Sequence, residues 1–343
     1  MTRYIFRRLL QAIPLLFIIS LVLFVLMDNV GDPLATMGGR RLTRKEDRAR
    51  LARQLGFDKP VTTQYVYWLI GNDWAKIDLD GDGIAESSGT RKGVLRGDFG
   101  VSLRTKGKSA IAAIGERIPN TLILMLTSEV VIVVGALAMG IYSALRQYSL
   151  LDYITTSISL IFYSMPIFFI ALVSIYLFAV NFKAWGLPSL PANGMFDPQI
   201  GRTWGQIVLH MVLPTFSISV ISFAAYSRYI RSTMLEVMSQ DYMRTAKSKG
   251  LPRRYILFVH ALKNASLPIV TVIGLDLPLL LGGALVTERI FAWPGMGLLF
   301  LEALKDVDTP VVMGILMLIA VAVVVFQVIT DIVYAWLDPR IRL

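Results

Sequence analysis

Six runs of apolar residues, at approximately 9–27, 121–145, 153–180, 207–227, 266–287 and 310–336, constrain this chain more than any other feature. As helices rising about 1.5 Å per residue, each is long enough to cross roughly 30 Å of hydrocarbon. The chain therefore reads as an all-α integral membrane protein with six transmembrane helices, since a helix satisfies its own backbone polar groups in lipid. Composition agrees, with 55% of residues hydrophobic and 17% charged. The mean hydropathy of +0.60 is too high for a soluble chain of this length. Proline recurs in or beside the runs at Pro14, Pro166, Pro214, Pro268 and Pro278, where neighbouring helices can re-satisfy the freed carbonyls.

The cations set the orientation. Arg3, Arg7 and Arg8 precede the first run and place the N-terminus in the cytoplasm. Between Arg228 and Lys263 eight Lys/Arg stand against two acids, which puts that stretch on the same side. Six crossings return the C-terminus to the cytoplasm, where Arg340 and Arg342 agree. Residues 28–120 then lie outside despite 16 Lys/Arg, because 12 acids offset them and long loops translocate largely regardless of charge. A signal peptide is the competing reading of the first run, but about 19 apolar residues without a small-x-small site after Met27 favour a retained span. The expected division is 1–27 as an N-terminal transmembrane helix, 28–120 as an extracytoplasmic insertion, and 121–343 as a five-helix core.

Several function classes fall away. The net charge of +10 suggests nucleic acid, yet nearly half the basic residues share the external segment with almost as many acids, so lipid is expected as partner and nucleic acid is not. There are no cysteines, and two histidines, His210 and His260, make no zinc site. No G-x-x-x-x-G-K-[ST] is present to cradle ATP phosphates, and no H-E-x-x-H or Ser/His/Asp set supports an intramembrane enzyme. The chain is expected to bind no cofactor of its own, and His260 reads as a structural helix residue. Gly135 and Gly140 have the wrong spacing for a strict G-x-x-x-G.

Within the external segment, RLTRKEDRARLARQLGF reads as a solvated or interfacial helix with Leu42, Leu51 and Leu55 apolar and Gly56 as its stop, or as a docking element for an external partner. DLDGDGIAE begins like a calcium loop, with Asp78, Asp80, Asp82 and Gly83 in register. Position twelve is Gly89 rather than Glu, while Glu86 stands at position nine. A plain acidic turn and a weak calcium site both remain open.

Glu129 in the second run and Asp276 in the fifth are carboxylates inside apolar sequence. Such groups are costly in lipid and face the bundle interior or water. Hydrogen bonding to neighbouring helices is the structural reading; lining the substrate path is the functional one. A proton-coupled secondary transporter would use them as a relay, but it predicts internal repeats, and runs one to three share no clear pattern with runs four to six.

The polar stretch 241–268, DYMRTAKSKGLPRRYILFVHALKNASLP, lies between two apolar runs and must leave the bilayer. It reads as two short helices broken at Gly250-Leu251-Pro252, with Pro252 in the first turn of the second. Arg244, Lys247 and Lys249 face water, and the apolar face of 255–259 returns to the bundle. This stretch resembles the EAA loop of binding-protein-dependent ABC importer permeases. Arg244, Thr245 and Ala246 stand at the E-A-A positions, Gly250 is the glycine, and Leu267-Pro268 close the pattern. D-Y-x-R-T-A-x-x-K-G is the form of the oligopeptide and dipeptide B-type branch. TERIFAWPGMG at 287–297, LDPRIRL at 337–343, RRLLQAIPLLF near the start and GERIPNTLIL before the second run are similar to that branch too, and the longer loop around 72–92 departs from it.

The resemblance implies a type I permease fold in a prokaryotic cytoplasmic membrane, importing di- or oligopeptides; related permeases carry nickel or sugars. It implies a second, homologous permease subunit, two ATPase subunits holding ATP and Mg, and an extracytoplasmic substrate-binding protein. Asp241, Tyr242, Arg244, Thr245, Ala246, Lys249, Gly250, Leu251 and Pro252 would seat in a cleft of the ATPase.

Overall fold

The computed structural model describes residues 2–31, 45–78, 84–85, 87–104, 107–281 and 285–337. Asp80, Asp82, Gly83 and Glu86 of the calcium-like loop, Leu42 of the basic stretch before Gly56 and Asp338 to Leu343 of the C-terminal motif lie outside the described residues. Helices dominate. Among the described residues five are long and apolar enough to cross a membrane, and a sixth span is counted if the pair Arg253–Ser266 and Ile269–Pro278, bent by 47°, is one crossing. By internal contacts the chain divides into two compact units.

One unit comprises 7–119 and 299–321. It holds most of α1 (Thr2–Asp28), which begins earlier than the apolar run suggests because Tyr4 to Arg8 extend it. Phe6, Leu9, Ile13 and Phe17 are exposed along it, as expected of a helix facing lipid. Its other face is an aromatic cluster. Tyr65 and Trp68 of α3 (Val61–Ile70), a helix not evident from the sequence pattern, pack against Phe24, and the Tyr65 hydroxyl shares a 2.8 Å hydrogen bond with Ser20. The basic helix α2 (Lys45–Leu55) stops as expected at Gly56, whose φ of +80° suits glycine. Two residues on each side of the acidic loop form an antiparallel pair, β1 (Lys76–Ile77) and β2 (Ser87–Ser88), a small exception to the all-helical expectation. Arg96 clasps Asp73 through both oxygens at 2.6 and 2.7 Å, and that hydrogen bonding holds the Asp73 carboxyl below its ordinary pKa.

The second unit comprises 1–6, 120–298 and 322–343. Its long elements are α4 (Ala110–Leu145, from Asn120 onward), α7 (Trp204–Ser239), α9 (Leu262–Leu281) and the end of α11 (Thr309–Leu337). Between them, α5 (Leu150–Ser164) and α6 (Ile167–Ser174) replace the single helix expected over 153–180. The break falls at Met165, extended at ψ 136°, because a residue before proline avoids helical geometry. The core joins Leu124, Ile132 and Ala136 of α4 to Ile218, Ile230 and Met234 of α7 and Ile269 of α9. Glycine makes the α4–α7 approach close. A Cβ on Gly140 would stand 2.7 Å from Ile230 Cγ2, so this glycine packs helices despite its irregular spacing from Gly135.

Candidate functional site

The polar stretch forms α8 (Asp241–Ser248), and it is amphipathic on a short scale. Met243 and Ala246, three residues apart, are buried in the same core as Met234 and Ile256. Asp241, Tyr242, Arg244, Thr245 and Lys247 point outward, with Arg244 and Asp241 side chains 79% and 96% exposed. The helix is thus anchored by two apolar side chains and presents its polar face to solvent. It ends at Lys249 and at Gly250, whose φ of +70° is left-handed and whose missing Cβ would meet nothing within 4 Å. Pro252 is the cap before the helix resumes at Arg253, so it stands just ahead of the first turn in which it was expected. Leu251 is half-buried. Ile256 alone of 255–259 is fully buried; Tyr255, Phe258 and Val259 are exposed, because Ile256–Ala261 is a wide π-helical turn that rotates them away from the bundle.

Behind α8 the bundle is tied by a contact absent from the sequence reading. Arg231 of α7 donates from Nε and Nη2 to the two oxygens of Asp152, each at 2.9 Å. Asp152 is 2% exposed and also accepts from the Tyr148 amide at 2.9 Å. Burial pushes its carboxyl pKa up, but the Arg231 guanidinium and that amide outweigh it and hold the pKa low. One turn earlier, Arg228 lies 4.9 Å over the Tyr163 ring. Two consecutive turns of α7 are therefore fastened to α5, ten residues before Asp241. The only sequence sign was an acid in the first turn of a helix capped by Ser149.

The intramembrane carboxylates meet where α4, α7 and α9 converge, and they differ. Asp276 accepts a 2.7 Å hydrogen bond from the Tyr226 hydroxyl, which fits the structural reading. Glu129 does not fit it. It is 6% exposed and lies beside the Tyr226 hydroxyl and Asp276, but among the described residues neither carboxylate oxygen has a partner in good hydrogen-bond geometry. His210, by contrast, is held by the Asn193 carbonyl at 3.0 Å, a structural role. Among the described residues no group of three metal-ligating side chains occurs.

The 287–297 motif packs as a knot. Glu288, 1% exposed, accepts from the Thr121 hydroxyl at 3.1 Å and the Leu298 amide at 2.9 Å. Trp293 Nε1 donates to the Asn120 carbonyl, and Asn120 donates back to the Pro294 carbonyl at 2.8 Å. Gly295 is required because a Cβ there would stand 2.3 Å from Glu288 Oε1. The motif thus fixes Asn120 and Thr121 of α4 against the turn after α10 (Leu285–Ile290).

A family model described as the binding-protein-dependent transport system inner membrane component matches residues 136–343. The chain belongs to this family. A model of the N-terminal part of the same membrane component matches residues 1–125. Over its whole length the chain is 37% identical to the oligopeptide transport system permease protein AppB of Bacillus subtilis, all of which is covered. It is 34% identical to the dipeptide transport system permease protein DppB of Escherichia coli and 35% to the di/tripeptide transport system permease protein DppB of Pseudomonas aeruginosa, covering 100% of this chain and 99% of each relative. This permease is accordingly an integral membrane subunit of an ABC importer and not itself an enzyme; ATP hydrolysis lies in partner subunits. A secondary carrier is not favoured.

Proposed function

We propose that this permease imports di- and oligopeptides, driven by ATPase subunits that grip α8 and the turn after it. The observation that carries this reading is α8 itself: Met243 and Ala246 root it in the bundle while Arg244, Thr245 and Lys247 stay exposed. A short helix rooted on one face and bare on the other can seat in a cleft and pass rigid-body motion into α7. The residues assigned to the ATPase contact are Asp241, Tyr242, Arg244, Thr245, Ala246, Lys249, Gly250, Leu251 and Pro252; Ala246 acts from the buried side by holding the helix in place.

Six spans, cytoplasmic termini and an external 28–120 segment complete the arrangement. A second homologous permease subunit shares the path, two ATPase subunits bind ATP and Mg, and an external binding protein delivers the peptide. Glu129 and Asp276 line or border that path. Calcium at 78–86 would order the external loop and take no part in transport. ATP closes the ATPase pair and draws the coupling helices together; hydrolysis resets them, and nucleotide and peptide each favour a different state. The test is uptake of labelled peptide into proteoliposomes holding this permease, its partner subunit, both ATPases and the binding protein. Peptide accumulation that needs ATP and survives a protonophore supports the reading. Accumulation that collapses with the proton gradient at constant ATP refutes it.

A further inference from the structure

Arg91 lies in the loop between β2 and the short 3₁₀ turn Val94–Arg96. Its backbone is pinned on both sides by Asn72, which donates from its amide to the Arg91 carbonyl and accepts the Arg91 amide on Oδ1, each at 2.9 Å. The side chain is aimed across Gly100, where a Cβ would stand 3.2 Å from its Nη2. No hydrogen bond or ion pair reaches this guanidinium among the described residues. The nearby Asp98 uses its oxygens on the Gly100 and Lys92 amides at 2.9 and 2.8 Å. Burial pushes the guanidinium pKa down, but arginine stays protonated at neutral pH.

This cation borders a cavity of about 430 Å³ whose other walls include Phe24, Met27, Phe57 and Trp68. Phe24, Met27 and Asp28 are the last turn of the apolar helix Tyr4–Asp28, so the cavity sits where a membrane span ends, at the level of lipid headgroups. Leu21, Val22, Val25 and Leu26, in the same last turns of that helix, are exposed apolar side chains. A planar fork of donors matches a tetrahedral or planar oxyanion, and aromatic walls together with exposed apolar side chains match an acyl chain. We propose that this cavity binds the phosphate of a membrane phospholipid, with Arg91 as the anion-holding residue and the end of α1 as the seat of the acyl chain.

The transporter complex released in mild detergent should carry one phospholipid, seen by native mass spectrometry, that Arg91→Gln releases about tenfold more readily and Arg91→Lys partly keeps. Equal lipid retention in wild type and Arg91→Gln overturns the proposal. A second measurement does not depend on that variant. In vesicles of brominated phosphatidylglycerol, the fluorescence component removed by Trp68→Phe should be quenched, and an unquenched Trp68 overturns the proposal. Inorganic phosphate is the competing source of the same chemistry. If phosphate alone raises the thermal stability of wild type but not of Arg91→Gln, and no lipid is retained, the lipid assignment falls.

Discussion

Arg231 commits two nitrogens to a buried Asp152, whereas Arg91 meets no carboxylate within ion-pair reach among the described residues. The same division runs through the acids: Asp276 accepts a tyrosine hydroxyl at 2.7 Å, while Glu129, more deeply buried, has no partner in good hydrogen-bond geometry among the described residues. A satisfied buried charge fastens elements together. An unpaired one is a cost that a fold bears where water, something outside the chain, or a proton completes it. Fasteners and incomplete sites should therefore respond to substitution with opposite sign.

The largest effect is expected at the fastener. Asp152→Ala leaves a part-buried guanidinium unpaired and should destabilise the complex by about 3 kcal/mol or more, read as a clear drop in thermal midpoint. Arg91→Met removes a charge that has no ion-pair partner among the described residues and should change stability by less than about 1 kcal/mol. Comparable losses at both positions would dissolve the distinction. Next comes the turn after α8. Gly250→Val forces a branched residue to φ +70° at a strain of about 1–2 kcal/mol and projects a side chain into the ATPase contact. Peptide taken up per ATP hydrolysed should fall about tenfold while membrane insertion is unchanged, since 1.4 kcal/mol is a tenfold shift; full coupling in this variant would remove the assigned role.

Smaller still is the contrast among the acids. Tyr226→Phe deletes the Asp276 hydrogen bond and should cost about 1 kcal/mol, whereas Glu129→Gln should be neutral or stabilising, both read by chemical denaturation of the complex. If Glu129→Gln is the more damaging of the two, Glu129 is a fastener after all. The mildest test is pH. Asp152 has a depressed folded pKa, so its stabilisation is present above about pH 4, the unfolded value, and is lost as pH falls through the folded one. The acid-side slope of the thermal midpoint should be shallower in Asp152→Asn than in wild type.

Much of the fold was legible because lipid imposes a simple rule. Apolar runs of the required length, and the basic stretch that interrupts them, can be read without knowing what packs against what. The α8 break at Gly250 and Pro252 was legible for a similar reason, since both residues restrict the backbone locally. The helix Val61–Ile70 was not, because it is short and its fixed residues, Tyr65 and Trp68, are held by Phe24 some forty residues away. Misplacing the 255–259 face had a related cause: periodicity assumes an α-helix, and the π turn at Ile256–Ala261 changes which side chains point inward.

The amino-acid order alone therefore settled the apolar solvent and the helical element type. Both follow from summed transfer energies and local backbone limits along the chain. Tertiary structure decided which charges are fasteners and which are vacant. Arg231 and Arg91, or Asp276 and Glu129, are equivalent as letters, and the energy of a buried charge depends on what lies within a few ångströms of it rather than on its neighbours in sequence.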